Sequence, residues 1–394
     1  MSSVQRPSSP AEPQKYGQFS RVAIVGAATL KGREIKDILE ERRFPTLDVR
    51  LLDDEESLGQ IEAVGEEASF IQSVRAEHFQ NVDVAFFASE AAFTRSHWEM
   101  ARSKGCAIVD TSYALEDTPG AELRAPWLET ELGRLAAPSL TTEPPIAIVA
   151  HPAAIVLGLL ITRAQRAGGV SVAAASIFEP ASEQGRKGMD ELHQQTVNLL
   201  SFQPLPKDIF DSQVAFNILP RYGTESERNL DAAEHRIAQH LREILRKPEK
   251  DRGSAQHPVR HAFGPTAASD TRIDHAGLAG SAADSLPALT LLHAPIFHAY
   301  AFSIYLELEK ELSAGDLAKA FAGDHVTVVD VSEEAPSNVS AAGQNEIQLG
   351  LKRDLNHPAA VWIFAVADNL KITALNAVAC AEAAVAMRPK GPVQ

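Results

Sequence analysis

The sequence predicts an α/β protein in two parts: a parallel sheet wrapped by helices, then an α+β domain with a mixed sheet. Three observations predict it. Short apolar strands alternate with helical segments over residues 21–150. A Gly-containing turn joins the first strand to the first helix. Beyond residue 151 the pattern changes to longer alternating runs and amphipathic helices. At 394 residues the chain is long enough to bury two cores.

The elements follow in order. RVAIVGAATLKGREIKDILEERRF reads as strand, turn and amphipathic helix, and TLDVRLLDDEE as a second strand with an acidic end. VDVAFFAS, CAIVDTS and IAIVA are further apolar strands, with RSHWEMARSKG helical between the first two. In the second part, VSVAAASIFEP, VAFNILP and FSIYLELE suit a mixed sheet, and GMDELHQQTVNLLS and LDAAEHRIAQHLREILRK are helices. The acids of LELEKEL read as a solvated helix start. Residues 247–285, rich in Gly, Ala, Ser, Asp and His, read as a flexible insertion. Its His257, His261 and His275 lack a tight metal spacing, and no metal site is expected. AVWIFAVADNLKITALNAVACAEAAVAMR is a strand, a turn and an Ala-rich helix. The predicted units are a disordered tail (1–20), a Rossmann-type dinucleotide domain (21–150), a dimerisation domain (151–365) and a helix (366–394) returning to the first domain.

Composition excludes some functions. Hydrophobic content of 45% and charged content of 23% fit a globular protein. A net charge of -15 argues against nucleic acid and against a polybasic membrane contact. No apolar run approaches the roughly 18 residues of a membrane span. The N-terminus is Ser/Pro-rich and lacks the apolar core of a signal peptide. Cys106 and Cys380 lie in separate apolar segments and read as reduced core residues, as in the cytoplasm. Trp98, Trp127 and Trp362 read as core or interface packing.

Two stretches carry candidate chemistry. In the first turn, Gly26 permits the tight bend and Gly32 the close helix–strand approach. Thr29 stands where a glycine would let the backbone reach a pyrophosphate. Asp53, at the end of the second strand, is placed to accept from a ribose hydroxyl, and Asp53-Asp54-Glu55-Glu56 would repel a 2′-phosphate. The expected cofactor is NAD or none, with NADP disfavoured. The second stretch, IVAHPAAIVLGLLI, is a strand, a Pro-marked turn and an apolar helix. Such a turn presents a nucleophile at a helix N-terminus. Here it presents Ala153 and Ala154.

Together with GRKGMDELHQQT, VAFNILP and RDLNHPAAVWIFAVADNL…ALNAVACAE, these blocks resemble the aspartate-semialdehyde dehydrogenase family from Arg21 to Met387. The resemblance implies a nucleotide domain plus a dimerisation domain, in dimers or tetramers. It implies a reaction between aspartyl phosphate and the semialdehyde with NADP(H), through a cysteine thioester. In the family the turn reads roughly Asn-Pro-x-Cys; here it is His151-Pro152-Ala153-Ala154, so Ala154 takes the nucleophile's position.

The other matched positions depart in the same direction. The acyl-orienting glutamine matches Glu179, the acid–base histidine matches Tyr300 and the substrate-carboxylate arginine matches His293. The phosphate-binding arginine matches Glu116, and the arginine that holds the NADP 2′-phosphate matches Glu56. The substrate-binding glutamate has two candidates, Glu234 and Ala233. Lys187 survives as a positive charge for the cleft. The DNL…ALN loop is one residue short and lacks the family's Arg-Lys-Gly.

Two acids standing for arginines turn attraction for phosphate into repulsion. The leading expectation is a homologue without dehydrogenase activity, a homodimer or a partner of an active paralogue, serving assembly or regulation. The alternatives are an enzyme with changed chemistry using His151, Glu179 and Tyr300, or a sensor of NAD or an unphosphorylated metabolite. If FHAYAFSIYLEL is a strand throughout, His298 and Tyr300 share a face and His298 joins that set.

Overall fold

The computed structural model describes residues 20–64, 67–134, 143–246 and 286–386, with the side chains of 61–68 left aside. The insertion at 247–285, its three histidines and the tail before Ser20 lie outside the described residues. Ser20 itself already begins the first strand.

The N-terminal part contains β1 (Ser20–Val25), α1 (Leu30–Glu41), β2 (Thr46–Asp53), β3 (Ile61–Val64), β4 (Glu67–Phe70), β5 (Gln72–Ser73) and β6 (Val84–Phe87). It continues through α2 (Ala91–Ser103), β7 (Ala107–Asp110), β8 (Ala121–Arg124), α3 (Pro126–Glu131) and β9 (Ile146–Val149). Seven strands form a parallel sheet in the order β5-β2-β1-β6-β7-β9-β8. The strands β6, β7 and β9 are buried along their whole length, as sheets covered on both faces require. Helix α1 buries Ile35, Ile38 and Leu39 at helical spacing.

The second part contains α4 (Pro152–Gly168), β10 (Val170–Glu179), α5 (Gly185–Leu200), α6 (Leu230–Leu245), β11 (Ala288–His293) and β12 (Tyr300–Leu308). It ends with α7 (Ala314–Phe321), β13 (Val326–Val328), α8 (Asn338–Ala341), β14 (Ile347–Arg353), β15 (Ala360–Ala367) and α9 (Asn369–Ala386). Its sheet is mixed, in the order β11-β10-β12-β15-β14-β13. Helix α4 is buried almost all round, which is why it reads as a continuous apolar run. Helix α9 returns to the first part: Lys371 pairs with Glu34 at 2.8 Å, Arg42 with Glu382 at 2.9 Å, and Asn376 Oδ1 accepts from Trp127 N at 3.2 Å.

The structure corrects three readings. VAFNILP is not a strand; only Leu219 bridges, to His293, because the chain there wraps α5 through Gln195, which accepts from Val214 N and Ala215 N. The LELEKEL acids do not open a helix: Glu307 lies on β12, Glu309 and Glu311 follow it, and the next helix waits for the Ser313 cap. Strand β12 begins only at Tyr300. Ala299 has φ +68°, which breaks the alternation and takes His298 off the Tyr300 face. Strands β8, β11 and β13 carried too little periodicity to be read, and β14 was missed although its Ile347, Leu349 and Leu351 alternate. Cys106 and Cys380 are both free and buried. Trp127 is buried, whereas Trp362 is 41% exposed on the mixed sheet.

Candidate active site

The head of α4 is the centre of the site. His151 is its N-cap, and the ring Nδ1 accepts from Ala153 N at 3.3 Å. Pro152 takes the first helical position, where its missing N–H costs nothing. Ala153 and Ala154 follow, both fully buried. The backbone N–H of His151 donates to His240 Nδ1 at 3.0 Å. That fixes the proton of His240 on Nε2, which donates to Glu116 at 2.9 Å. Arg236 donates to the same carboxylate oxygen at 2.8 Å. Burial works against the charge on Glu116, but the bonds from His240 and Arg236 hold its carboxyl below the usual range.

Tyr113 packs over this helix head. Its ring stacks on His151 at 5.7 Å and meets His240 edge-on at 5.6 Å. Lys31 and Arg236 sit 5.4 and 5.0 Å from the ring centre. Its hydroxyl is buried and has no hydrogen-bond partner among the described residues.

A second cluster lies at the end of β10. Glu179 is fully buried, and Arg228 grips it with both arms: Nε to Oε1 at 2.9 Å and Nη2 to Oε2 at 2.5 Å. Tyr222 donates to Oε1 and Tyr300 to Oε2, each at 3.3 Å. Tyr222 then accepts from His293 Nδ1 at 2.9 Å. His293 stands opposite Glu179 in the parallel pairing of β10 and β11. The His151 and Tyr300 rings lie 5.9 Å apart, which joins the two clusters.

Each shift has a physical cause. Burial pushes the Glu179 carboxyl up against the pull of Arg228. Burial, then the charges of Glu183 and Glu179, hold the Tyr300 phenol far above its usual value. Burial and then Arg228 push His151 well below the imidazole range, and bring His293 down to about 4.

The depressed histidine makes a prediction. A base held neutral by the fold contributes stability that is intact above its unfolded value near 6.5 and is lost as pH falls from there towards about 4. Glu179, raised by burial, acts in the opposite sense, so the effect must be read by difference. Denaturant melts at pH 7.5 and 5 should show the wild type losing about 2 kcal/mol more than His293→Leu. Equal losses would rule out a buried neutral His293.

Of the residues picked from sequence, the fold brings His151, Glu179, His293 and Tyr300 together, with Glu116 behind His240. His298 is half-buried and stays outside. Lys187 is exposed on α5 and enters none of these contacts. Glu234 accepts from Leu291 N at 2.7 Å, so its carboxylate serves β11, while Ala233 is buried. Sequence reasoning missed Arg228, Tyr222, Tyr113 and Glu183. An arginine inside GTESERN looks like any solvated loop residue, and no local pattern could have raised it.

At the nucleotide turn, Gly26 has φ +87°, and a Cβ on Gly32 would lie 2.0 Å from the Gly26 carbonyl oxygen. Both positions therefore require glycine. Thr29 caps α1, accepting from Gly32 N at 2.9 Å and donating to Gly26 O at 2.7 Å. Asp53 accepts from Ala28 N at 2.7 Å and from Asp54 N at 2.9 Å. Glu56 is exposed beyond it. Among the described residues no group of three or more potential ligands could hold a metal.

A doubly wound parallel sheet with a glycine turn, joined through the N-terminus of a buried helix to a mixed sheet, defines a Rossmann-type α/β fold with a second, mixed-sheet part. Family models make the class particular. The semialdehyde dehydrogenase NAD-binding domain matches residues 21–136, and the semialdehyde dehydrogenase dimerisation domain matches 164–261 and 281–372. The chain belongs to the semialdehyde dehydrogenase family. It is 28% identical over 373 residues to a USG-1 protein homolog of Pseudomonas aeruginosa, covering 92% of this chain and 96% of that one. It is 26% identical over 377 residues to the aspartate-semialdehyde dehydrogenase of Legionella pneumophila, covering 92% and 94%. The solved structure of a probable aspartate-semialdehyde dehydrogenase from Pseudomonas aeruginosa superposes with a TM-score of 0.73 at 26% identity, over 93% of this chain and 98% of that one.

Proposed function

We propose that this chain is a semialdehyde dehydrogenase homologue without dehydrogenase activity, acting as a homodimeric or paralogue-associated structural or regulatory protein. The observation that carries the reading is Ala154, a fully buried methyl group in the first turn of α4. A methyl group can neither attack a carbonyl nor hold an acyl group. The groups around it are bonded to one another rather than left for a substrate: Glu179 to Arg228, Tyr300 to Glu179, and Glu116 to Arg236 and His240.

The family's first domain is an NAD-binding domain, and the fit of a dinucleotide is tested by the Gly26 turn. The Ala28 N–H and the Asp53 carboxylate, placed to meet a pyrophosphate and a ribose, bond to each other, and Asp53 is only 6% exposed. The turn as it stands does not fit a tightly held dinucleotide. Any residual binding favours NAD, because Asp54, Glu55 and Glu56 repel a 2′-phosphate.

The dimer rests on the family's dimerisation domain and on the outer face of the mixed sheet, where Val172, Trp362 and Phe364 are exposed. Beside Trp362 and Phe364 that face carries a hollow of about 350 Å³. No helix among the described residues is long and apolar enough to cross a membrane. With both cysteines free, a cytoplasmic setting completes the reading.

Light scattering on the purified protein tests assembly. The wild type is expected at twice the chain mass, and Trp362→Glu with Phe364→Glu at the chain mass with unchanged circular dichroism. A monomeric wild type would remove the dimer from the proposal. An assay with aspartate semialdehyde, phosphate and NADP should give no turnover. The unpartnered Tyr113 hydroxyl beside Lys31 and Arg236 favours a second reading, a sensor of an unphosphorylated metabolite. A saturable thermal shift with NAD or an aspartate-family metabolite would select it.

A further inference from the structure

The buried carboxylates at the end of β10 point beyond the loss of a nucleophile. Glu179 closes a long strand, and Glu183 lies just before α5. Both are set by regular structure, and their side chains are 0% and 2% exposed. Glu183 is oriented further by Asn369 Nδ2, which donates to it at 2.8 Å. Two tyrosine hydroxyls, Tyr222 and Tyr300, each bond one oxygen of Glu179. Facing these groups is one guanidinium. Its Nε and Nη2 meet the two oxygens of Glu179 side by side, and Nη2 lies 3.9 Å from Glu183. This is the planar fork that an arginine makes and a lysine cannot. Arg228 arrives on an irregular segment, not on regular structure. That segment is also held by the paired bonds between Leu219 and His293 at 3.0 and 2.8 Å, Gly223 N to Phe210 O at 3.2 Å, Glu225 N to Asp211 Oδ2 at 3.1 Å and Ser226 Oγ to Ile209 O at 2.9 Å.

We propose that Glu179, Glu183 and Tyr300 form a receptor for a guanidinium group, filled in cis by Arg228, and that this contact latches residues 219–229 onto the end of β10. Glu179, Glu183 and Tyr300 lie outside that segment, on β10, just before α5 and on β12, so the receptor persists when the occupant is removed. A small planar cation is the chemistry that refills it. The proposal is independent of Ala154 and of whether the family's reaction is lost.

Arg228→Ala provides the test, with methylguanidinium chloride as probe, and methylammonium chloride and sodium chloride as controls at equal ionic strength. The variant should melt about 5–10 °C below the wild type. Millimolar methylguanidinium should restore the melting temperature saturably, and methylammonium should not. Hydrogen exchange at 219–229 should quicken in the variant and slow again with methylguanidinium, while α1 amides stay unchanged. Equal rescue by methylammonium would reduce the contact to a simple charge effect and overturn the proposal. So would an Arg228→Ala protein with wild-type melting and exchange. If that variant does not fold, Arg228→Lys keeps the charge and loses the fork. It should exchange faster at 219–229 than the wild type, and identical exchange and melting would overturn the proposal.

Discussion

Ala154→Cys is expected to leave the protein without measurable semialdehyde oxidation, although it returns a thiol to the head of α4. The helix N-terminus and the cations that act on neighbouring His151, Arg228, Lys31 and Arg236, favour a thiolate there, while full burial of the position opposes it. A nucleophile alone is not a mechanism. Acyl transfer needs a group that can exchange protons near pH 7, and such a group contributes typically 10²–10⁴-fold. Tyr300 cannot serve, since its phenol is held far above the working range and bonded to Glu179. Glu179 is committed to Arg228, and Glu116 opposes a phosphate. Removing several cooperating groups leaves little that restoring one can recover. Turnover should stay at least about 10⁴-fold below an active family member. Steady-state assay of the variant, with thiol titration to show that the introduced cysteine is present and reduced, measures it. Turnover within a hundredfold of an active relative would show that the remaining groups still support the chemistry and that Ala154 alone silences it.

The second large effect concerns stability. Glu179→Ala should cost about 3 kcal/mol, because it leaves the Arg228 guanidinium beside Tyr222 and Tyr300 without its bidentate partner. The side chain of Arg228 is 21% exposed, so water softens the penalty and the lower end of the usual range applies. Glu179→Gln, which keeps the volume and one acceptor, should cost less. The double variant Glu179→Ala with Arg228→Ala should be more stable than the two single losses added together, since neither charge is then stranded. Urea midpoints at constant slope give these numbers. Strict additivity would mean that the pair is not coupled.

Much of the architecture was legible because its signals are local. Buried parallel strands are short apolar runs, α1 has its apolar residues at helical spacing, and Gly26 and Gly32 stand where a left-handed turn and a close approach demand them. VAFNILP misled because an apolar run bounded by a proline looks the same whether it pairs in a sheet or wraps a helix. Only the bonds from Val214 N and Ala215 N to Gln195 decide which.

Ala154 at the head of α4 could be read from one line of sequence, since a Pro-marked turn and a helix start are local signals, and its match to the family's nucleophile is what the resemblance implies. The partners of Glu179 could not. Arg228 lies 49 residues away, Tyr222 43 and Tyr300 121. Side chains that meet across a fold leave no periodicity, because nothing in either segment's own conformation requires the other. The family, the two-domain layout and the alanine at the head of α4 follow from the order of residues. That Glu179, Tyr300 and Glu116 are spent on partners within the chain follows only from packing: hydrogen bonds between distant segments are chosen by it, and a buried charge must find whichever partner it brings within reach.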